Sequence, residues 1–129
     1  MKAYSVKVGR LKVASKRPDG SSWDTLSLPD LYVVVKGQGP DRHTSTARNT
    51  LEHEFDEDLR AVLEPGDTLF VRVMDEEVGG NDEMISRVSH PVTETDLKRG
   101  FVDLQFGSVE ALRLTFDFSV PQVKRRLGI

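Results

Sequence analysis

Near the end of the chain the apolar residues fall on alternate positions: Val102, Leu104 and Phe106, then Leu112, Leu114, Phe116 and Phe118, with Gly107-Ser108 between the two sets. A period of two puts each set on one face of an extended segment, whereas a helix would scatter it around its axis. Gly-Ser supplies the turn, so the stretch predicts a pair of strands. The same alternation recurs upstream. Val6 and Val8, then Leu11 and Val13, alternate with polar residues, and the phase slips at Gly9-Arg10, where a bulge keeps both sets on the same face. Leu69, Val71 and Val73 alternate with Phe70, Arg72 and Met74.

The remaining segments fit the same architecture. Leu31 to Val35 is an unbroken apolar, β-branched run, which predicts a strand covered on both faces or lying at the centre of a sandwich. Arg42 to Arg48 mixes Thr and Ser with Arg and His and reads as an exposed strand. Glu52, Glu54, Asp56 and Asp58 share one face of an extended segment, with Phe55 and Leu59 pointing inward. Met84-Ile85 and Val88 predict a further short strand, and Thr93 is placed to cap a helical turn running to Lys98. Turn residues at Lys36–Asp41, Glu64–Asp67 and His90-Pro91, and a polar loop from Lys16 to Pro29, punctuate the strands. The expected fold is all-β, an antiparallel sandwich of seven or eight short strands rather than a barrel. One domain over residues 1–119 is expected, followed by a basic tail, 120–129, that carries Lys124-Arg125-Arg126.

Composition removes several classes of function. A chain of 129 residues is long enough to bury a core without covalent staples, and it has no cysteine for a disulfide framework or a thiolate metal site. That favours a cytoplasmic compartment. With 18 basic and 21 acidic residues the net charge is -3, so no overall basic field invites nucleic acid. No apolar run reaches membrane-spanning length and the start of the chain has no signal-peptide core, so membrane contact is expected to be peripheral. Enzymatic signatures are missing as well. There is no Gly-x-Ser-x-Gly elbow and no phosphate-cradling glycine loop, and His43, His53 and His90 fall on separate predicted elements.

What remains is chemistry at two acidic stretches. Trp23-Asp24 to Pro29-Asp30 lies just before one predicted strand, and Asp75-Glu76-Glu77-Val78-Gly79-Gly80-Asn81-Asp82-Glu83 just after another. A hard cation such as calcium takes six to eight oxygen ligands on a flexible scaffold, and carboxylates from two neighbouring loops supply them. If the loops meet, they form a cation cup.

These residues resemble a known family. Asp30-Leu31-Tyr32-Val33, preceded by Asp24, is similar to the first calcium-binding loop of the C2 domain, a calcium-and-phospholipid-binding module. Asn49-Thr50-Leu51-Glu52-His53-Glu54 is similar to its Asn-Pro-aromatic-Asn-Glu segment, Leu69 to Asp75 to the strand leading into its third loop, and Leu112 to Phe116 to its last strand. The resemblance covers roughly Val6 to Phe118. It implies an eight-stranded antiparallel Greek-key β-sandwich in which loops at one end gather calcium. Carried over by position, Asp24 and Asp30 match the aspartates of the first loop and Asp75 the first aspartate of the third. Glu77 matches a second, and Glu83 or Asp82 the last. Glutamate thus stands for aspartate twice, and Leu31 stands where proline is usual. Each longer side chain has extra rotamer freedom to lose on coordination, at up to roughly a kcal/mol.

Brought together, Asp24, Asp30, Asp75, Glu77, Asp82 and Glu83 would repel one another, and a cation would relieve that repulsion. The resemblance further implies calcium-dependent association with anionic phospholipid membranes. Leu26, Leu28 and Val78 are candidate inserting tips, Arg42 and Arg48, with His43, form a sparse headgroup patch, and Trp23 is a candidate interfacial aromatic, the alternative being that Trp23 and Leu28 are ordinary core residues. The competing reading is a metal-independent protein-interaction module that recruits a partner through a strand edge or its loops.

Overall fold

A computed structural model describes residues 3–17, 19–23 and 28–119. The expected positions Asp24 and Leu26, and the basic tail 120–129, lie outside them. The chain forms β1 (Ala3–Val13), β2 (Leu31–Lys36), β3 (Arg42–His43), β4 (Glu52–Leu63), β5 (Thr68–Asp75), β6 (Glu83–Pro91), helix α1 (Glu94–Arg99), β7 (Phe101–Phe106) and β8 (Val109–Ser119). Two four-stranded sheets result, ordered β4-β1-β8-β7 and β3-β2-β5-β6, with every pairing antiparallel. Among the described residues no helix is long and apolar enough to cross a membrane.

The phase slip in β1 is a bulge, as its alternation predicts. Pairing with β8 jumps from Val8↔Leu114 to Leu11↔Leu112, and Val6, Val8, Leu11 and Val13 are all buried. Their partners across the core are Leu31, Val33 and Val35 from β2, with Leu69, Val71 and Val73 from β5. Each such side chain, removed fully from water, stabilises the fold by roughly 1.5–3 kcal/mol. Strand β2 reads as an apolar run because it lies inside its sheet, between β3 and β5, and even Val34 on its outer side is only 5% exposed.

Three expectations need correction. The predicted strand from Arg42 to Arg48 shrinks to Arg42–His43, because Thr44 turns inward. Its hydroxyl accepts from the Val33 N–H at 3.0 Å and donates to the Ser45 carbonyl at 2.8 Å, and Ala47 then makes only an isolated bridge to Leu31. The short strand at Met84–Val88 grows to nine residues. A register shift opposite Val73/Met74 leaves consecutive Ile85 and Ser86 both buried, which breaks the alternation and hides the strand. His90-Pro91 is the end of that strand and not a turn, with His90 opposite Leu69.

Helix α1 follows its capping signals. Thr93 accepts from the Asp96 N–H, the Asp96 carboxylate accepts from the Thr93 N–H, and Gly100 closes the helix at φ 85°, where a Cβ would be strained.

Candidate metal and docking pole

Strand registers bring both acidic stretches to one end of the sandwich. Leu31 pairs with Asp75, Asp75 with Glu83, and Leu31 bridges Ala47, so the β1–β2, β3–β4 and β5–β6 connections meet there. The opposite end holds the Ala3↔Ser119 pair. The bulge in the β5–β6 pairing sits beside the cluster and sets Asp75 opposite Glu83.

Asp75, Glu77 and Glu83 each offer a carboxylate oxygen within 4.8 Å of the others. Asp75 is nearly buried, at 6% exposure, while Glu77 and Glu83 are open to solvent. Burial pushes the Asp75 carboxyl above its ordinary value. The Asp30 N–H, donating to Asp75 at 2.9 Å, opposes that shift, and the charges of Glu77, Asp30 and Glu83 add to it. All the donors are hard oxygens, so the set fits a hard divalent cation and not a soft one.

Asp30 and Asp82 lie at the pole but outside this convergent set. Asp30 accepts from the Asn49 N–H at 2.8 Å, and its second oxygen lies 3.7 Å from the Arg48 guanidinium. Asn49 holds a left-handed backbone (φ 52°) that asparagine tolerates, and its side-chain oxygen accepts from the Leu28 N–H at 2.7 Å, tying loop to loop. Asp82 accepts from the Tyr32 hydroxyl at 2.5 Å and from the Glu77 N–H at 3.0 Å. These bonds, the hydroxyl's first, hold its carboxyl below the usual range, while burial, aided by Asp82, pushes the Tyr32 phenol up to about 12.

Among the described residues, two arginines enter this acidic pole. Arg48 reaches Glu76 at 2.9 Å as well as Asp30. Arg17 meets Glu83 at 3.2 Å and stacks 5.0 Å over the Trp23 ring. Trp23 is a core residue, 6% exposed, with its indole N–H donating to the Ala14 carbonyl at 3.1 Å. Of the expected tips, Val78 is 91% exposed and Leu28 39%. Arg42 is exposed on β3, on the sheet edge, while Arg48 belongs to the acidic pole. Arg17, Tyr32, Asn49 and Glu76 were not singled out from the sequence as site residues. Asn49 carried a signal in its place within the family-like segment, whereas the arginine pairings join loops that no local periodicity connects.

Residues 5–105 match the C2 domain family model. Human GIVD cytosolic phospholipase A2 in complex with methyl gamma-linolenyl fluorophosphonate superposes with a TM-score of 0.70 at 20% identity, covering 91% of this chain and 17% of that one. A separately solved C2 domain gives 0.68 at 17% identity, covering 93% of this chain and 100% of the other. The calcium-bound pair of C2 domains from Extended-Synaptotagmin 2 gives 0.63 at 14%, covering 89% and 45%. The chain thus spans about 17% of the phospholipase it resembles. No curated protein sequence matches it. Since the family match runs from the first strand into the seventh and the sheets are those of its structural neighbours, this chain belongs to the C2 domain family.

Proposed function

We propose that this chain is a non-enzymatic binding module that associates, in a calcium-dependent way, with anionic phospholipid at the cytoplasmic face of a membrane. The observation that carries the reading is the convergence of Asp75, Glu77 and Glu83 within 4.8 Å, with the most buried of them held above its normal pKa by burial. Asp75, Glu77 and Glu83 would hold the ion, with Asp30 beside them and Asp24 and Asp82 as the remaining positions of the proposed set. A bound divalent cation supplies positive charge that cancels the carboxylates and lets an anionic surface approach. Around that site the chain's own residues do the positioning. The Asp30 N–H fixes Asp75, Tyr32 and the Glu77 N–H fix Asp82, and Val78 and Leu28 present apolar surface, with Leu26 as the remaining proposed tip. Arg42, and Arg48 once released from Asp30 and Glu76, add headgroup attraction. At about 1 kcal/mol per basic residue near an anionic surface they assist binding and do not anchor the protein alone.

One observation favours the metal-independent protein-interaction reading. Arg48 and Arg17 already neutralise part of the pole, so the carboxylates are not bare without an ion. Calorimetric calcium titration, paired with co-sedimentation on phosphatidylserine vesicles with and without calcium, separates the two. Saturable calcium binding that Asp75→Asn abolishes, together with calcium-dependent sedimentation, is expected. No heat at millimolar calcium and no sedimentation in either condition would leave only the protein-interaction module.

A further inference from the structure

The outer face of the β3-β2-β5-β6 sheet carries a second surface, made of side chains outside the acidic pole. A hollow of about 640 Å³ opens there, lined by Phe70, Met84, Lys36, Arg72 and Arg87 among others. Phe70 is 50% exposed and Met84 45%, and both are large apolar side chains left in water on a sheet face whose other side is fully packed. Arg72 pairs with Asp41 at 3.0 Å, but among the described residues Lys36 and Arg87 have no carboxylate partner. The hollow therefore joins an apolar floor to unmatched positive charge. It also borders β6, which among the described residues is the outermost strand of its sheet and pairs with β5 alone. Edge strands accept extended chains through their backbone groups, while adjacent side-chain hollows select the residues of the guest.

We infer that this face docks an extended segment of a partner protein in which an apolar anchor residue is flanked by carboxylates. The anchor fills the space over Phe70 and Met84, whose flexible thioether adapts to it, and the acidic flanks answer Lys36 and Arg87. A peptide fits these observations better than a bilayer. A lipid headgroup would set polar atoms against Phe70 and Met84, and the few cations here are too sparse to hold a membrane by charge alone. The inference does not depend on cation binding at the pole, because no residue of the convergent carboxylate set lines the hollow.

The test uses the whole chain in EDTA and a fluorescein-labelled peptide with a central phenylalanine flanked on each side by three glutamates. Fluorescence polarisation and amide NMR shifts are read for wild type, Arg87→Glu and Phe70→Ser, both of which alter exposed side chains. Expected are saturable binding, shifts confined to β5, β6 and the end of β2, and a loss of at least tenfold in either variant. A peptide with lysine in place of glutamate is expected to prefer Arg87→Glu. Absence of saturable binding, or binding indifferent to both variants, overturns the inference. So does sedimentation of wild type but not Arg87→Glu with phosphatidylserine vesicles in EDTA while the peptide stays free, which would make the face a lipid surface.

Discussion

Arg48 sits where the proposed function is decided. Its guanidinium spans Asp30 and Glu76, so any cation entering the pole competes with a charge the chain carries itself. The side chain is 62% exposed, and exposed pairs of this kind are worth about 0.2–1 kcal/mol. Replacing it is therefore expected to help a cation modestly: Arg48→Gln should raise calcium affinity roughly two- to fivefold, measured by calorimetry at fixed ionic strength. If affinity falls instead, Arg48 organises the loop and does not compete. The direction distinguishes a rival charge from a structural tie, because the Asp30 oxygen that accepts from the Asn49 N–H stays in place either way.

At the scale of one element, α1 shows how a six-residue helix persists at a sheet crossover. It is too short to be stable by propensity, so it relies on its cap and on the packing of Leu97. The buried Asp96 carboxylate accepts from the Thr93 N–H at 3.1 Å and meets His90 Nε2 at 2.9 Å. Desolvation raises its pKa, but the His90 and Thr93 hydrogen bonds outweigh that, and the net shift is downward. A carboxyl whose folded pKa lies below its unfolded value contributes stability above the unfolded value of about 3.9 and loses it as the pH falls through the folded one. Asp96→Ala is expected to lose about 1–2 kcal/mol at neutral pH. Urea unfolding at pH 7 and at pH 3 should show the difference from wild type shrinking at the lower pH, and an unchanged difference would mean the loss is one of packing.

The whole molecule depends on how the two sheets close on each other at the end away from the acidic pole. Just past β2, Gln38 donates its N–H to the Val62 carbonyl of β4 at 2.8 Å, and this isolated bridge ties one sheet to the other. The approach is possible because residue 37 is glycine. A Cβ there would lie 2.5 Å from the Val62 oxygen, a backbone atom that cannot swing aside. Gly37→Ala is expected to cost about 1–3 kcal/mol by forcing the strands apart, read as a lowered urea midpoint with an unchanged m-value. Calcium affinity should survive in that variant, since the loops sit at the other pole. A parallel loss of binding would mean that the two poles are mechanically coupled.

The sequence by itself determined the all-β architecture, the bulge at Gly9-Arg10, the cap at Thr93 and the inward set of β1, β2, β5 and β8 apart from Phe118, which is 55% exposed, because each is written in local periodicity or in turn chemistry read a few residues at a time. The acidic character of both loops and the family resemblance were also legible there. Tertiary structure alone decided that Asp75, Glu77 and Glu83 converge while Asp82 is held by Tyr32, that Trp23 is core, and that Arg48 and Arg17 stand among the carboxylates. The carboxylate set depends on the shifted register of the β5–β6 pair, and several of the other contacts join segments far apart in the chain, as in the Asp30–Asp75 hydrogen bond with its separation of 45. A shift of one position would turn each side chain to the opposite face, and no local pattern fixes that choice.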